Sequence, residues 1–428
     1  MGYDTRFASE DFAAAAAEVV TGNGVKVYLC PKATPTQAVS FGVVSQKAGG
    51  GIIITASHNP ARWNGLKFKN ESGSSAAPKV TAKIEENIDR ILVTGKIDKI
   101  PLAQAREQGL LEYLDLEPVY CRQLSSLINL EEIRRARLKI IVDPMYGAGA
   151  GYFEKLLAGG ATELIEINSV RNPIFPGIQQ PEPISANLSR LATTIKKESA
   201  SVGLATDGDA DRLGVIDENG TFISAHHVFA LLCLYLLEVR GERGPLVKTL
   251  TMSSMLYRLG ELFNVPVYET PVGFKYVAPM MQSEQALIGG EESGGYGFRG
   301  HVMERDGILA GLYFLDLMIK TGKRPSELID YLHSKVGPHY YGRVDVKFRE
   351  SERQAISKRA RDYSPESIDN IMVDSSDTRD GFRFMLADTS WLLIRFSSTE
   401  PLLRLYAESN SRERVEKLLG LAQELVKA

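Results

Sequence analysis

Three short apolar runs in this chain each break into a loop crowded with small and chemically active residues. Ile52-Ile53-Ile54 leads into Thr55-Ala56-Ser57-His58-Asn59-Pro60, and Val202-Gly203-Leu204-Ala205 leads into Asp207-Gly208-Asp209-Ala210-Asp211-Arg212. Ala286-Leu287-Ile288 leads into Gly289-Gly290-Glu291-Glu292-Ser293-Gly294-Gly295. Apolar runs of this length, closed by turn residues, read as buried strands. Helical patterns precede or separate them, as at Phe12 to Val20, Thr36 to Gln46 and Ser254 to Leu262. Strand and helix in alternation imply mainly parallel sheets covered by helices, and in such sheets ligands bind beyond the carboxyl ends of the strands.

At 428 residues the chain is too long for one ordinary domain, and its length suggests about three or four units. Boundaries are expected near residues 121, 222 and 337, giving units 1–121, 122–222, 223–337 and 338–428. The first three share the strand, loop and helix rhythm. The last changes to short strands and turns, such as Tyr341 to Phe348 and Trp391 to Tyr406, with a closing helix at Ser411 to Lys427, and reads as a smaller α+β domain. The segment Glu117 to Tyr120 reads as polar and irregular, Ser72 to Ala77 as a surface turn or flap, and the Pro-rich Asn172 to Pro183 as a long loop.

Apolar content of 44%, charged content of 24% and a net charge of −3 describe a soluble globular chain with no basic field for nucleic acid. Any anion site must be made locally. Cys30, Cys121 and Cys233 are odd in number and scattered, which fits a reducing cytoplasm better than a disulfide framework. The longest apolar run, Val228 to Leu237, is half of what a bilayer span needs and reads as a buried helix.

Asp207, Asp209 and Asp211 alternate, so that extended or looped backbone turns three carboxylates toward one point, a hard oxygen set suited to Mg²⁺ or Ca²⁺. An EF-hand is excluded, because Arg212 stands where its glycine is needed and strands flank the loop where helices should. A solvated acidic turn is the bland alternative. Ser57 lacks the flanking glycines of a hydrolase nucleophile elbow, and His58, its immediate neighbour, is no obvious base. Glu291 and Ser293 face one side of an extended, glycine-flanked turn. Arg395, Ser397, Ser398 and Thr399 bring a guanidinium fork and three hydroxyls into one turn, a monophosphate cradle or else a polar hairpin turn. No Walker loop is present, and Gly147-Ala148-Gly149-Ala150-Gly151 departs from the dinucleotide fingerprint at Tyr152.

These loops, in this order, resemble the signature of the α-D-phosphohexomutases, the family of phosphoglucomutase, phosphomannomutase and phosphoglucosamine mutase, over nearly the whole chain. The resemblance implies three α/β domains and a distinct fourth domain around a central cleft. It implies that Ser57 is the phosphoserine, with His58 and Asn59 shaping its loop, and that Asp207, Asp209 and Asp211 bind Mg²⁺ together with a phosphate oxygen on that serine. Arg212 then lies near the phosphate, and Lys67 pairs with the transferring phosphoryl group or helps to move a proton. Glu291 and Ser293 grip sugar hydroxyls, Lys275 shuttles a proton, and the Arg395, Ser397, Ser398 and Thr399 loop holds the phosphate that does not react.

The implied activity is interconversion of hexose 1-phosphate and hexose 6-phosphate through a hexose 1,6-bisphosphate, by a monomer or homodimer that binds hexose phosphates and neither nucleic acid nor membrane. Phe274, where some phosphomannomutases carry histidine, points to glucose. Mannose or glucosamine phosphate is the alternative. Family members carry a further strand and active-site loop ahead of the segment matching Gly2-Tyr3-Asp4-Thr5-Arg6. A chain that starts here is expected to leave a sheet edge uncovered, so binding without turnover is a second alternative, and a Mg²⁺-dependent phosphatase a third.

Overall fold

β-branched and aliphatic runs form the strands, and each unit of the computed structural model is built on one of them. Residues 1–397 and 401–427 are described. In the first unit Gly51–Ile54 is flanked by Gly2–Tyr3, parallel, and Leu66–Lys69, antiparallel. Met1 ties this sheet to the parallel pair Val27–Leu29 and Leu111–Tyr113, its ammonium donating to the Tyr28 carbonyl at 2.5 Å and its carbonyl accepting from Cys30 N–H at 2.9 Å. Helices Ser9–Gly22 and Thr36–Ser45 pack against this sheet. Below Met1 lies a cavity of about 630 Å³, lined among others by Val27, Val39, Val43, Ile52 and Leu116.

The second unit has five strands in the order Phe222–Ile223, Leu213–Ile216, Val202–Thr206, Lys139–Asp143 and Glu163–Glu166. All run parallel except Leu213–Ile216, which is antiparallel to both its neighbours. The third unit orders its strands Val267–Thr270, Leu246–Thr249, Ile288–Gly290 and Tyr296–Phe298, with only the final pairing antiparallel. Its helices Ala225–Leu234 and Gly307–Thr321 are buried along nearly their whole length, and together with the second unit they form the largest core. No described helix is long and apolar enough to cross a membrane. The C-terminal unit is a six-stranded antiparallel sheet, Tyr340–Lys347 to Ser367–Ile368, closed by helix Arg412–Lys427. The architecture is thus three α/β units with mixed sheets plus a smaller α+β unit.

Two local expectations fail for physical reasons. Glu117–Leu127 is a helix, not irregular chain. Pro118 sits in its first turn, where a missing N–H is harmless, and Tyr120 and Leu124, one turn apart, are both fully buried. Ser72 to Ala77 is not a surface flap, since Gly73, Ser74 and Ala76 are buried. Gly73 has φ +77°, and a Cβ there would lie 2.4 Å from the Ser40 carbonyl oxygen and 2.7 Å from Val302, so the small residues allow close packing between units. The Asn172 to Pro183 stretch contains no helix or strand, as expected.

Candidate active site

The strand Gly51–Ile54 delivers Ser57 into a loop that needs outside support. Ser57 has φ 50°, a left-handed conformation that costs a non-glycine residue energy and persists only when its surroundings enforce it. Arg6, 1% exposed, supplies that enforcement. Its Nη2 donates to the carbonyls of Ser57 and Asn59, both at 2.6 Å, and its Nη1 to those of Pro60 and Trp63 at 2.9 and 3.1 Å. Asp4 orients Arg6 through Nε at 3.1 Å and accepts from Thr55 Oγ1 at 2.7 Å, while Ser57 N–H donates to that same Oγ1 at 2.8 Å.

The neighbouring strand Val202–Thr206 delivers the carboxylates. Asp207, Asp209 and Asp211 are fully buried, and one oxygen from each lies within 4.8 Å of the others. Ser57 Oγ donates to Asp207 Oδ2 at 2.9 Å. The two loops approach so closely that a Cβ on Gly208 would stand 2.5 Å from the Ser57 carbonyl oxygen. Lys67 Nζ reaches Asp209 Oδ2 at 2.6 Å and Asp211 Oδ2 at 3.3 Å, and Thr36 Oγ1 donates to Asp209 Oδ2 at 2.5 Å. Arg212 closes the loop, its N–H on Asp207 Oδ1 at 3.1 Å and its Nη1 on Glu182 Oε1 at 3.1 Å.

Arg305 then joins this cluster to the third unit's loop. Its Nη2 contacts Asp211 Oδ2 at 2.6 Å, its Nη1 Glu291 Oε2 at 3.3 Å and its Nε Glu304 Oε1 at 3.4 Å. The structure therefore gathers Ser57, Lys67, Asp207, Asp209, Asp211, Arg212 and Glu291 in one buried polar network. Ser293 is half-buried in the same turn as Glu291.

The charges in this network govern one another. Burial pushes the Asp207 carboxyl well up, and Asp211 and Asp209 add to the rise. Burial alone would lower the Lys67 ammonium, but Asp209 and Asp211 more than offset it and raise the pKa. Burial, with Asp211 and Glu304, raises Glu291 against the pull of Arg305. His58 is pushed down to about 2 by burial and by Arg212, which leaves its ring neutral, and its buried Nδ1 has no hydrogen-bond partner among the described residues.

Two carboxylate oxygens, Asp209 Oδ1 and Asp211 Oδ1, are likewise buried without hydrogen-bond partners among the described residues. Unsatisfied buried anionic oxygens are costly. Three carboxylates converging on one point with two such oxygens are the donor set of a hard divalent cation, so these residues fit Mg²⁺.

The remaining candidates stand apart from this network. Arg395, 9% exposed, is the penultimate residue of the strand Trp391–Phe396, and its Nε donates to Asp380 Oδ1 at 3.0 Å. Asp380 Oδ2 accepts Val272 N–H at 2.9 Å, which ties the C-terminal turn to the third unit's 270–275 loop. Ser397 is buried, its N–H on the Leu402 carbonyl at 2.7 Å. Ser398 and Thr399 lie outside the described residues. Phe274 and Lys275 open the helix Phe274–Ser283. Phe274 is buried beneath the Arg305 guanidinium, 5.6 Å from its ring centre, whereas Lys275 is exposed with its Nζ over Tyr276 at 5.1 Å.

Sequence reasoning missed Arg6, Thr36 and Arg305. Arg305 had a signal: Glu304-Arg305-Asp306 is a charged cluster immediately ahead of the apolar helix Gly307–Thr321. Arg6 and Thr36 had none beyond being polar residues beside a helix start.

With fold and site geometry in hand, the chain belongs to the phosphoglucomutase/phosphomannomutase family. It matches alpha/beta/alpha domain I over residues 1–93, domain II over 118–220, domain III over 224–336 and the C-terminal domain over 346–422. A phosphoglucomutase/phosphomannomutase of Thermococcus kodakarensis is 32% identical over 426 residues, covering 100% of this chain and 89% of the relative. A phosphoglucosamine/phosphogalactosamine mutase of Sulfurisphaera tokodaii is 28% identical, covering 94% and 85%. A crystal structure from Thermus thermophilus, assigned as a phosphomannomutase, superposes with a TM-score of 0.85 at 34% identity, covering 100% and 90%. The chain is thus a phosphohexomutase, an isomerase of the intramolecular phosphotransferase type.

Proposed function

We propose that the protein interconverts glucose 1-phosphate and glucose 6-phosphate through a phosphoserine at Ser57 and a glucose 1,6-bisphosphate intermediate. The observation that carries this reading is Ser57 Oγ, 2.9 Å from Asp207 in a buried carboxylate cluster ringed by Lys67, Arg212 and Arg305. Phosphoryl transfer asks mainly for position and charge neutralisation. Asp207, Asp209 and Asp211 would hold Mg²⁺, which when bound neutralises charge on phosphoryl oxygens.

Ser57 Oγ carries the phosphoryl group, and transfer breaks the Oγ–P bond while a free sugar hydroxyl bonds to phosphorus. Arg6 clamps the loop so that Oγ keeps its line of attack. Lys67 and Arg212 face the phosphoryl oxygens, Glu291 and Ser293 hold sugar hydroxyls, and Lys275 shuttles the hydroxyl proton. His58, neutral, helps to shape the Ser57 loop. Arg395, Ser397, Ser398 and Thr399 hold the phosphate at rest, and the bisphosphate turns over between the two half-reactions. In this reading the units 1–121, 122–222, 223–337 and 338–428 surround one cleft. The enzyme works in the cytoplasm, its three cysteines free, as a monomer or homodimer.

The test is glucose 6-phosphate formation from glucose 1-phosphate with Mg²⁺ and a trace of glucose 1,6-bisphosphate, run beside the mannose and glucosamine 1-phosphates. Ser57→Ala is expected to lose about three orders of magnitude or more. Near-wild-type turnover in that variant overturns the phosphoserine. Faster conversion of mannose or glucosamine phosphate overturns the glucose assignment, release of free phosphate marks a phosphatase, and binding without conversion marks a non-catalytic protein.

A further inference from the structure

Away from the carboxylate cluster, four of the six histidines gather where the third unit meets the C-terminal sheet. Two of them already have fixed partners. His226 Nδ1 accepts Ser253 N–H at 3.2 Å, and His339 bonds Glu408 Oε1 through Nδ1 at 2.8 Å and the Val336 carbonyl through Nε2 at 3.3 Å. His227 and His333 instead face each other, Nε2 to Nε2 at 3.0 Å, with ring centres 5.1 Å apart. His227 lies in the first turn of helix Ala225–Leu234, and His333 lies in the last turn of helix Pro325–Val336. Their backbones are therefore held by two packed helices.

Two features suit this pair to more than a mutual hydrogen bond. Ser224 Oγ sits 2.7 Å from His227 Nδ1, and an oxygen accepting Nδ1–H fixes the tautomer whose Nε2 lone pair points at His333, as an outer partner does for a metal-bound imidazole. The separation also fits. Two nitrogen ligands at about 2.0–2.1 Å from a tetrahedral Zn²⁺ stand about 3.3 Å apart, a few tenths of an ångström from the spacing present. Burial lowers both rings, His227 to about 3 with help from His333, so both are neutral ligands near neutral pH.

We propose that His227 and His333 form a two-imidazole clamp for a nitrogen-preferring divalent cation, with Zn²⁺ as the expected ion. Imidazole selects Zn²⁺ and its transition-metal neighbours, whereas the aspartate cluster selects Mg²⁺, so the two sites take different ions. Water completes the coordination. Helix Pro325–Val336 runs directly through Gly337 to His339 into the strand Tyr340–Lys347, and a cation held there pins the helix that leads into the C-terminal sheet.

The test is calorimetric titration with Zn²⁺ of the purified chain carrying Asp209→Asn and Asp211→Asn, which removes the competing carboxylates. The expected result is a single tight site that His227→Gln and His333→Gln each weaken at least tenfold, and Ser224→Ala by about tenfold. The first equivalent of Cu²⁺ should show two imidazole nitrogens in the paramagnetic resonance spectrum of the wild-type chain, a readout independent of how the variants fold. Failure of the aspartate-substituted chain to bind Zn²⁺, equal Zn²⁺ affinity once both histidines are also replaced, or a Cu²⁺ spectrum with fewer than two nitrogens overturns the clamp. None of these readouts depends on the mutase reaction.

Discussion

Lys69 and Glu304 are both fully buried and form an ion pair between the first and third units. Lys69 ends the strand Leu66–Lys69 and also donates to Ser75 Oγ at 3.2 Å. Burial alone would raise the Glu304 carboxyl, but Lys69 and Arg305 more than offset it and hold it at about 2, from an ordinary 4.5. At 1.36 kcal/mol per pH unit, that drop corresponds to about 3 kcal/mol. The two partners disagree, because burial lowers the Lys69 ammonium despite Glu304. The intact pair therefore contributes less than Glu304 alone suggests, while breaking it strands a buried charge. Lys69→Met should cost about 3–5 kcal/mol. Lys69→Met with Glu304→Gln should recover most of that loss, since no uncompensated charge remains.

Hydrogen exchange in Gly51–Ile54 and Leu66–Lys69 reads this opening directly. The single variant should speed exchange by about two to four orders of magnitude, and the double variant should return to within about tenfold of wild type. Because the folded Glu304 pKa is depressed, its contribution is complete above 4.5 and fades as pH falls toward about 2, so wild-type protection should decline across that window. An unchanged rate in the single variant, or a double variant as fast as the single, would refute the reasoning.

Gly208→Ala places a Cβ 2.5 Å from the Ser57 carbonyl oxygen, and the displaced loop should lose roughly 10²-fold in turnover with an unchanged circular dichroism spectrum. Phe229→Ala removes a fully buried ring stacked 5.3 Å from Tyr296, and urea unfolding should show a loss of about 3–5 kcal/mol. Glu408 accepts from Ser254 N–H at 3.0 Å and from His339. Burial would raise its carboxyl, but His339 and Ser254 hold it at about 2. Glu408→Gln should loosen the C-terminal unit by about 1.5–3 kcal/mol, seen as faster proteolysis near Gly337. In the wild type the part of that docking held by the Glu408 carboxylate should weaken as pH falls from 4.5 toward about 2.

Ser57 and the three aspartates were legible in the chain because each ends a buried apolar strand, and a strand end fixes where a loop emerges. Thr36 was not, and the charged run that holds Arg305 gave no hint of where it would reach. Arg305 and Thr36 reach the cluster from positions 94 residues after Asp211 and 173 before Asp209, and only unit packing brings them there. Helix Glu117–Leu127 was obscured because Pro118 breaks a helix interior yet suits a first turn. The buried Ser72 to Ala77 stretch shows the opposite error, since small polar residues read as solvent-facing also fit where two backbones nearly touch.

The roughly 630 Å³ cavity beneath Met1 borders the strand that presents Ser57. The pocket is open on one side, so solvent reaches Ile52 along the wall it shares with Val39 and Val43. The strand that leads to Ser57 therefore meets water along one flank, and its amides should be among the first of their sheet to exchange.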